Sequence, residues 1–234
     1  MPAKFDFHLH TLHSDGRSGH LKMVEVAEAR RMEAVAFADH GPELIVGISK
    51  QRLQTMLQDI QIAREAANIP VLASIEANVA DGSGRVDVEK DFAKNLDFLM
   101  IAIHHISGAD TYMSYQEIAR EYLRRATQAI QNNDVKILAH PFYLYQPLLP
   151  YISMEDIQAF LKLAADRGVA MEINVKYRYP QADFISLCLS AGVKLSIGSD
   201  AHSIEEVGQI EWAFHELEQA GAKREDLVLD MFLG

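Results

Sequence analysis

Phe98-Leu99-Met100-Ile101-Ala102-Ile103-His104 is a short, continuously apolar run that stops at a metal-donor side chain. A strand wetted on one face alternates apolar with polar residues, whereas an unbroken apolar strand belongs to a parallel sheet covered on both faces. Six further runs repeat the pattern, so that strands are predicted at 4–10, 34–40, 71–78, 98–105, 136–140, 169–175 and 194–200. Between them, apolar residues at three- and four-residue spacing predict helices near 21–33, 50–68, 114–132, 154–167, 181–191 and 203–220. Repeated strand–helix units imply a parallel α/β fold. With 234 residues and 49% hydrophobic content, the chain suits one domain, 1–234.

The strand ends carry His8 and His10, Asp39-His40, Glu76, His104-His105, His140, and Asp200 with His202. In an open sheet, strand ends far from the point where strand order reverses cannot reach one site. Closure brings every C-terminal end around one mouth. The donors therefore favour a distorted seven-stranded (β/α)7 barrel, TIM-barrel-like, over an open sheet. His8 and His10 share a strand face, as would Asp200 and His202 if the last strand stays extended. Gly16 allows a reversal that swings Asp15 back over the mouth. Imidazoles with carboxylates and no thiolate suit Zn, Mn or Fe and disfavour the all-oxygen cages of Ca.

Other donors read differently. His13, His20 and His215 fall in a turn or on helical stretches and are expected as surface or helix-packing residues. His105 points to the face opposite His104, and Asp39 and Asp97 are expected in solvated loops or supporting the ligands. Cys188, the sole cysteine, excludes an intramolecular disulfide and reads as a packed helix residue. The net charge of −11 argues against a nucleic-acid or anionic-membrane surface. No apolar leader or span is seen, and a cytoplasmic protein is expected. A homo-oligomer stays open.

Taken in order, Asp6-Phe-His8-Leu-His10-Thr-Leu-His-Ser-Asp15-Gly16, Ala38-Asp39-His40-Gly41-Pro42, Ile75-Glu76-Ala77-Asn78, Ile103-His104, Ala139-His140-Pro141, Glu172-Ile-Asn174 and Gly198-Ser-Asp200-Ala-His202 resemble the PHP (polymerase and histidinol phosphatase) family over essentially the whole chain. The resemblance implies a PHP domain with a trinuclear metal centre, most commonly Zn, with Mn or Fe in some members. It implies His8, His10, Glu76 and Asp200 at one ion, Glu76 bridging to a second with His104 and His140, and Asp15, His40 and His202 at the third. The YcdX-type phosphatases are especially similar in Ala-Asp-His-Gly-Pro and Ile-Glu-Ala-Asn, but have histidine where this chain has Asp15. The histidinol-phosphatase branch carries a phosphate-binding arginine after the Glu-Ile-Asn strand, which makes Arg178 a candidate for substrate binding, with Arg17 as a second. A guanidinium fork can take two phosphate oxygens at once.

The expected activity is a phosphatase, a metal-dependent hydrolase of a small phosphorylated metabolite. A metal-bridging hydroxide would attack phosphorus, with Glu76, Asp200 and His202 in the catalytic roles and His202 or Asp39 relaying a proton. Two alternatives stand beside it. An amidohydrolase-type hydrolase would use a strand-end lysine as metal bridge, and no such lysine stands out. A non-catalytic, metal-stabilised partner-binding module would be expected to have lost ligands.

Overall fold

The computed structural model describes residues 3–233; the outermost positions of the expected 1–234 domain, 1, 2 and 234, lie outside the described residues. The strands are β1 (Phe5–Leu9), β2 (Ala34–Phe37), β3 (Val71–Ala73), β4 (Glu76–Asn78), β5 (Met100–Ala102), β6 (Ile137–Leu138), β7 (Tyr143–Leu144), β8 (Gln146–Pro147), β9 (Ala170–Asn174) and β10 (Leu195–Gly198). The helices are α1 (His20–Ala29), α2 (Leu53–Ala66), α3 (Lys90–Ala93), α4 (Tyr115–Asn132), α5 (Met154–Arg167), α6 (Ala182–Ser190), α7 (Glu211–Ala220) and α8 (Leu229–Leu233).

The strands form parallel sheets of three, β1-β2-β3, and five, β10-β9-β6-β5-β4, with β7 and β8 as a small antiparallel pair. Isolated parallel bridges join the two larger sheets, Leu9 with Ala201 and His40 with Glu76. Every residue of β1, β2, β9 and β10 is buried, as helix-covered parallel strands should be. Phe5, Phe7, Phe37 and Leu9 are among the largest side chains removed from water. Among the described residues no helix is long and apolar enough to cross a membrane. Cys188 is free and buried in α6, and burial pushes its thiol up, away from the reactive thiolate.

The expected strand at 71–78 and the expected helix at 203–220 differ from what is found. The run 71–78 is split into β3 and β4 because its two halves have different neighbours. On the β2 side pairing continues past the split, with Ser74 N donating to Phe37 O at 2.8 Å and Glu76 N to Asp39 O at 3.1 Å. On the other side, of the two halves only β4 pairs with β5. There the Asp97 carboxylate accepts from Ala73 N at 2.6 Å, and Asp97 N donates to Ala73 O at 2.9 Å. Asp97 thus seals the edge that β5 leaves open, with Arg64 as its ion-pair partner. The helix expected at 203–220 begins only at Glu211. Its first half is held as a loop, since the Glu206 carboxylate accepts from His202 N and Ser203 N, and Gly208 N donates to the buried Asp6 carboxylate at 2.8 Å.

Candidate metal centre

The expected ligands meet on one side of the parallel strands, within or just beyond the ends of β1, β2, β5, β6 and β10 and in the loop after β1, with Glu76, which opens β4, at their middle. Its Oε1 lies 2.8 Å from His140 Nε2 and 3.3 Å from His104 Nε2. Its Oε2 lies 2.7 Å from His40 Nδ1, 3.5 Å from His8 Nε2 and 3.7 Å from His10 Nε2. One carboxylate therefore faces imidazoles from the ends of β1, β2, β5 and β6. Asp15 Oδ1 is a second focus, 3.2 Å from His202 Nε2, 3.7 Å from His40 Nε2 and 4.0 Å from His10 Nδ1. Asp200 Oδ1 completes the ring, 3.4 Å from His10 Nε2 and 3.5 Å from His202 Nδ1.

Backbone geometry explains how residues remote in sequence converge. A Cβ at Gly16 would lie 2.2 Å from His10 O, so only glycine lets the chain double back, and Arg17 N then donates to His202 O at 2.8 Å. That reversal returns Asp15 to the centre. The last strand ends at Gly198 and Asp200 adopts φ 57, so the condition under which Asp200 and His202 would share a strand face is not met. His140 also has positive φ, 29. Non-glycine residues in this region are costly and are retained where the surroundings hold them, as at functional sites. Asp200 is held by Asn174 Nδ2, which donates to its Oδ2 at 3.2 Å, and His140 by Glu172 Oε2, which accepts from its N at 2.7 Å.

Glu172 is fully buried and orients the centre from outside it. Its Oε1 accepts a hydrogen bond from His8 Nδ1 at 2.6 Å, which turns Nε2 toward Glu76. A Cβ at Gly198 would lie 2.0 Å from that same Oε1, so the adjacent strand must be bare where Glu172 reaches across. Asn78 Oδ1 approaches His104 Nδ1 at 3.3 Å. Asp39 is buried rather than solvated, and accepts from the backbone N–H and hydroxyl of both Thr11 and Ser14, which fastens the loop carrying Asp15.

The charges are strongly coupled. Burial works against ionising Glu76, yet His104, His8 and His40 hold it well below the usual carboxylate range. Burial likewise opposes a charged His8, but the carboxylates of Glu172, Glu76 and Asp200 hold it well above the ordinary imidazole value. Asp15 is lowered to about 2, its burial outweighed by the neighbouring imidazoles of His202, His40 and His10. His10 is lowered to about 4, chiefly by burial.

Whether this donor set fits cations can be judged from its unsatisfied atoms. His8 Nε2, both ring nitrogens of His10, His40 Nδ1, Glu76 Oε2, His104 Nε2, His140 Nδ1 and Asp15 Oδ1 are buried without a hydrogen-bond partner among the described residues. Even the 2.7 Å approach of His40 Nδ1 to Glu76 Oε2 lacks hydrogen-bond alignment. So many orphaned polar atoms around one point would be costly unless an ion satisfied them. His10, Asp15, His40 and His202 form one compact donor group, His8, His10 and Glu76 another, and His40, Glu76 and His104 a third.

Other expectations fare differently. Arg178 and Arg17 are exposed, and neither guanidinium forms an ion pair with Asp15, Glu76 or Asp200 among the described residues. Arg178 lines a cavity of about 730 Å³ with Tyr143, Tyr177 and Tyr179, and Tyr177 sets its ring edge on His140 with centroids 5.4 Å apart. The cation that does reach the donors is Lys176, whose Nζ is 3.1 Å from Asp200 Oδ1 and 3.1 Å from His202 Nδ1. It lies beyond the end of β9, where no strand pattern says which way a side chain points. His13 and His20, expected at the surface or packed on helices, are both buried against helices, beside Asp59 of α2.

A parallel α/β fold with imidazoles and carboxylates gathered on one side of its strands defines an α/β protein with a candidate divalent-metal centre. The chain belongs to the PHP domain family, whose model matches residues 6–176. It is 28% identical over 219 residues to a protein from Caldicellulosiruptor bescii named "Probable phosphatase", covering 90% of this chain and 85% of that one. A "Probable phosphatase" of Thermoanaerobacter sp. is 27% identical over 250 residues, covering 100% of this chain and 93% of the other. Among solved structures, the fold is similar to histidinol phosphate phosphatase from Lactococcus lactis, complexed with Zn, L-histidinol and phosphate, with a TM-score of 0.66, 17% identity and 95% of both chains covered.

Proposed function

We propose that this protein is a phosphatase that hydrolyses small phosphorylated metabolites at a centre of three divalent ions, Zn in the first instance and Mn or Fe as substitutes. The observation that carries the reading is Glu76, a buried carboxylate whose two oxygens face the imidazoles of His8, His10, His40, His104 and His140. His8, His10, Glu76 and Asp200 would hold one ion, Glu76 with His104 and His140 a second, and Asp15, His40 and His202 the third. Bound there, divalent cations lower the pKa of coordinated water and neutralise phosphoryl oxygens in the transition state.

The chain's own residues do the rest. Glu172 and Asn174 keep His8, His140 and Asp200 in place, so that the donors need not reorganise during reaction. His202, partly exposed beside Asp15, is the candidate to pass a proton to the departing alkoxide. Lys176 would meet the phosphate from the open side, and Arg178 and Arg17 remain candidates for the rest of the substrate. The likeness to a histidinol phosphatase supports a small monoester as substrate. We read the two parallel sheets as one distorted seven-stranded barrel within a single domain, supported by the Leu9–Ala201 and His40–Glu76 bridges and by the origin of β3 and β4 in one run.

An amidohydrolase would place a lysine between the ions. Here a carboxylate stands there, and Lys176 instead pairs with Asp200 and His202. A panel of phosphomonoesters, phosphodiesters and amides assayed with Zn or Mn tests the reading: turnover of monoesters above the other two classes is expected, and preferential amide turnover would refute it.

A further inference from the structure

Away from Glu76, three side chains from separate elements meet beneath the loop that follows β1. His13 comes from that loop, His20 opens α1 and Asp59 lies on α2. We propose that His13, His20 and Asp59 form an additional divalent-cation site, separate from the centre around Glu76, that fastens the Asp15 loop to α2.

One donor atom from each residue lies within 4.8 Å of the others. His13 Nε2 is 2.8 Å from Asp59 Oδ2, and the two imidazole centroids are 5.3 Å apart. His13 is 6% exposed and His20 4%, yet His13 Nδ1 and His20 Nε2 have no hydrogen-bond partner among the described residues. A histidine that merely packs spends its polar atoms on neighbours, because leaving them buried and unpaired is costly. His20 packs edge-on against Phe37 at 4.4 Å between centroids, which fixes its ring toward the cluster.

Two imidazoles and one carboxylate are the three-protein-ligand set of open Zn sites and also suit Mn, Fe or Co; Ca and Mg favour all-oxygen surroundings. The Asp59 side chain is 44% exposed, which leaves an entry path and room for water as remaining ligand. His13 is two positions before Asp15, so an ion here would stiffen the segment that presents Asp15 without joining the chemistry.

The test is metal stoichiometry on the full-length protein, reconstituted with Zn, dialysed and weighed by native mass spectrometry. Asp59→Asn and His20→Gln should each hold one equivalent fewer than wild type, while Glu76→Gln should keep that equivalent and lose ions elsewhere. Wild-type Zn content in Asp59→Asn would overturn the proposal. Asp59 is half exposed, so its variant decides the matter even if the His20 variant does not fold. If the Glu76 centre itself held no ion, Glu76→Gln would match wild type while Asp59→Asn would still fall by one, which separates the two readings.

Discussion

At the scale of single residues, Glu76 has the largest consequences. Replacing it with glutamine keeps the volume but removes the charge that five imidazoles surround. Glu76→Gln should fold, lose bound metal and drop kcat for phosphomonoesters by roughly 10³-fold or more, the scale set by losing charge stabilisation in an enclosed site; metal analysis with steady-state kinetics checks both. Lys176→Ala should lower kcat/KM by roughly 10–100-fold, the range of one lost charge-assisted contact, while leaving metal content unchanged. Loss of metal in that variant would instead make Lys176 a support for Asp200. The donors themselves were legible because each sits at the end of an apolar run, and Asp15 because Gly16 announces a reversal. Lys176 was not, since it follows β9 in a turn. Nor was the burial of His13, whose partner Asp59 lies 46 positions away on another element.

At the scale of elements, the strands were legible from continuous apolarity, but the division of 71–78 was not, because it depends on Asp97 capping an edge 24 positions further along. Asp97→Ala should therefore destabilise the fold by about 1–3 kcal/mol, through an unpaired backbone N–H and a lost partner for Arg64, as read by urea unfolding. The late start of α7 was equally hidden, since Gly208 N is held by Asp6 from the other end of the chain. Asp87 adds a pH signature. It accepts from Asn78 N at 2.8 Å and Glu43 N at 3.0 Å, yet burial raises its carboxyl from 3.8 to about 6. A folded-state pKa above the unfolded one means that protonated Asp87 favours the fold below about pH 4, and that this contribution is lost as pH rises through about 6. The stability of wild type relative to Asp87→Asn should fall across that window, and a difference independent of pH would contradict it.

At the scale of the whole molecule, a chain of net charge −11 collects carboxylates and imidazoles from both ends of its sequence around one point. Cations that bind only the folded state stabilise it by mass action, by about 2.7 kcal/mol per site at a hundredfold excess over Kd. Chelation should therefore lower Tm by several degrees, and Glu76→Gln should show a smaller drop. The alternation of strands and helices made the parallel α/β class legible, whereas the two sheets and their bridges depend on contacts that no local pattern encodes. The most direct measurement is phosphomonoester turnover by protein stripped of metal and then reloaded with Zn or Mn. Turnover should vanish with the ions and return with them, while undiminished hydrolysis by protein shown to hold no ion would contradict the account.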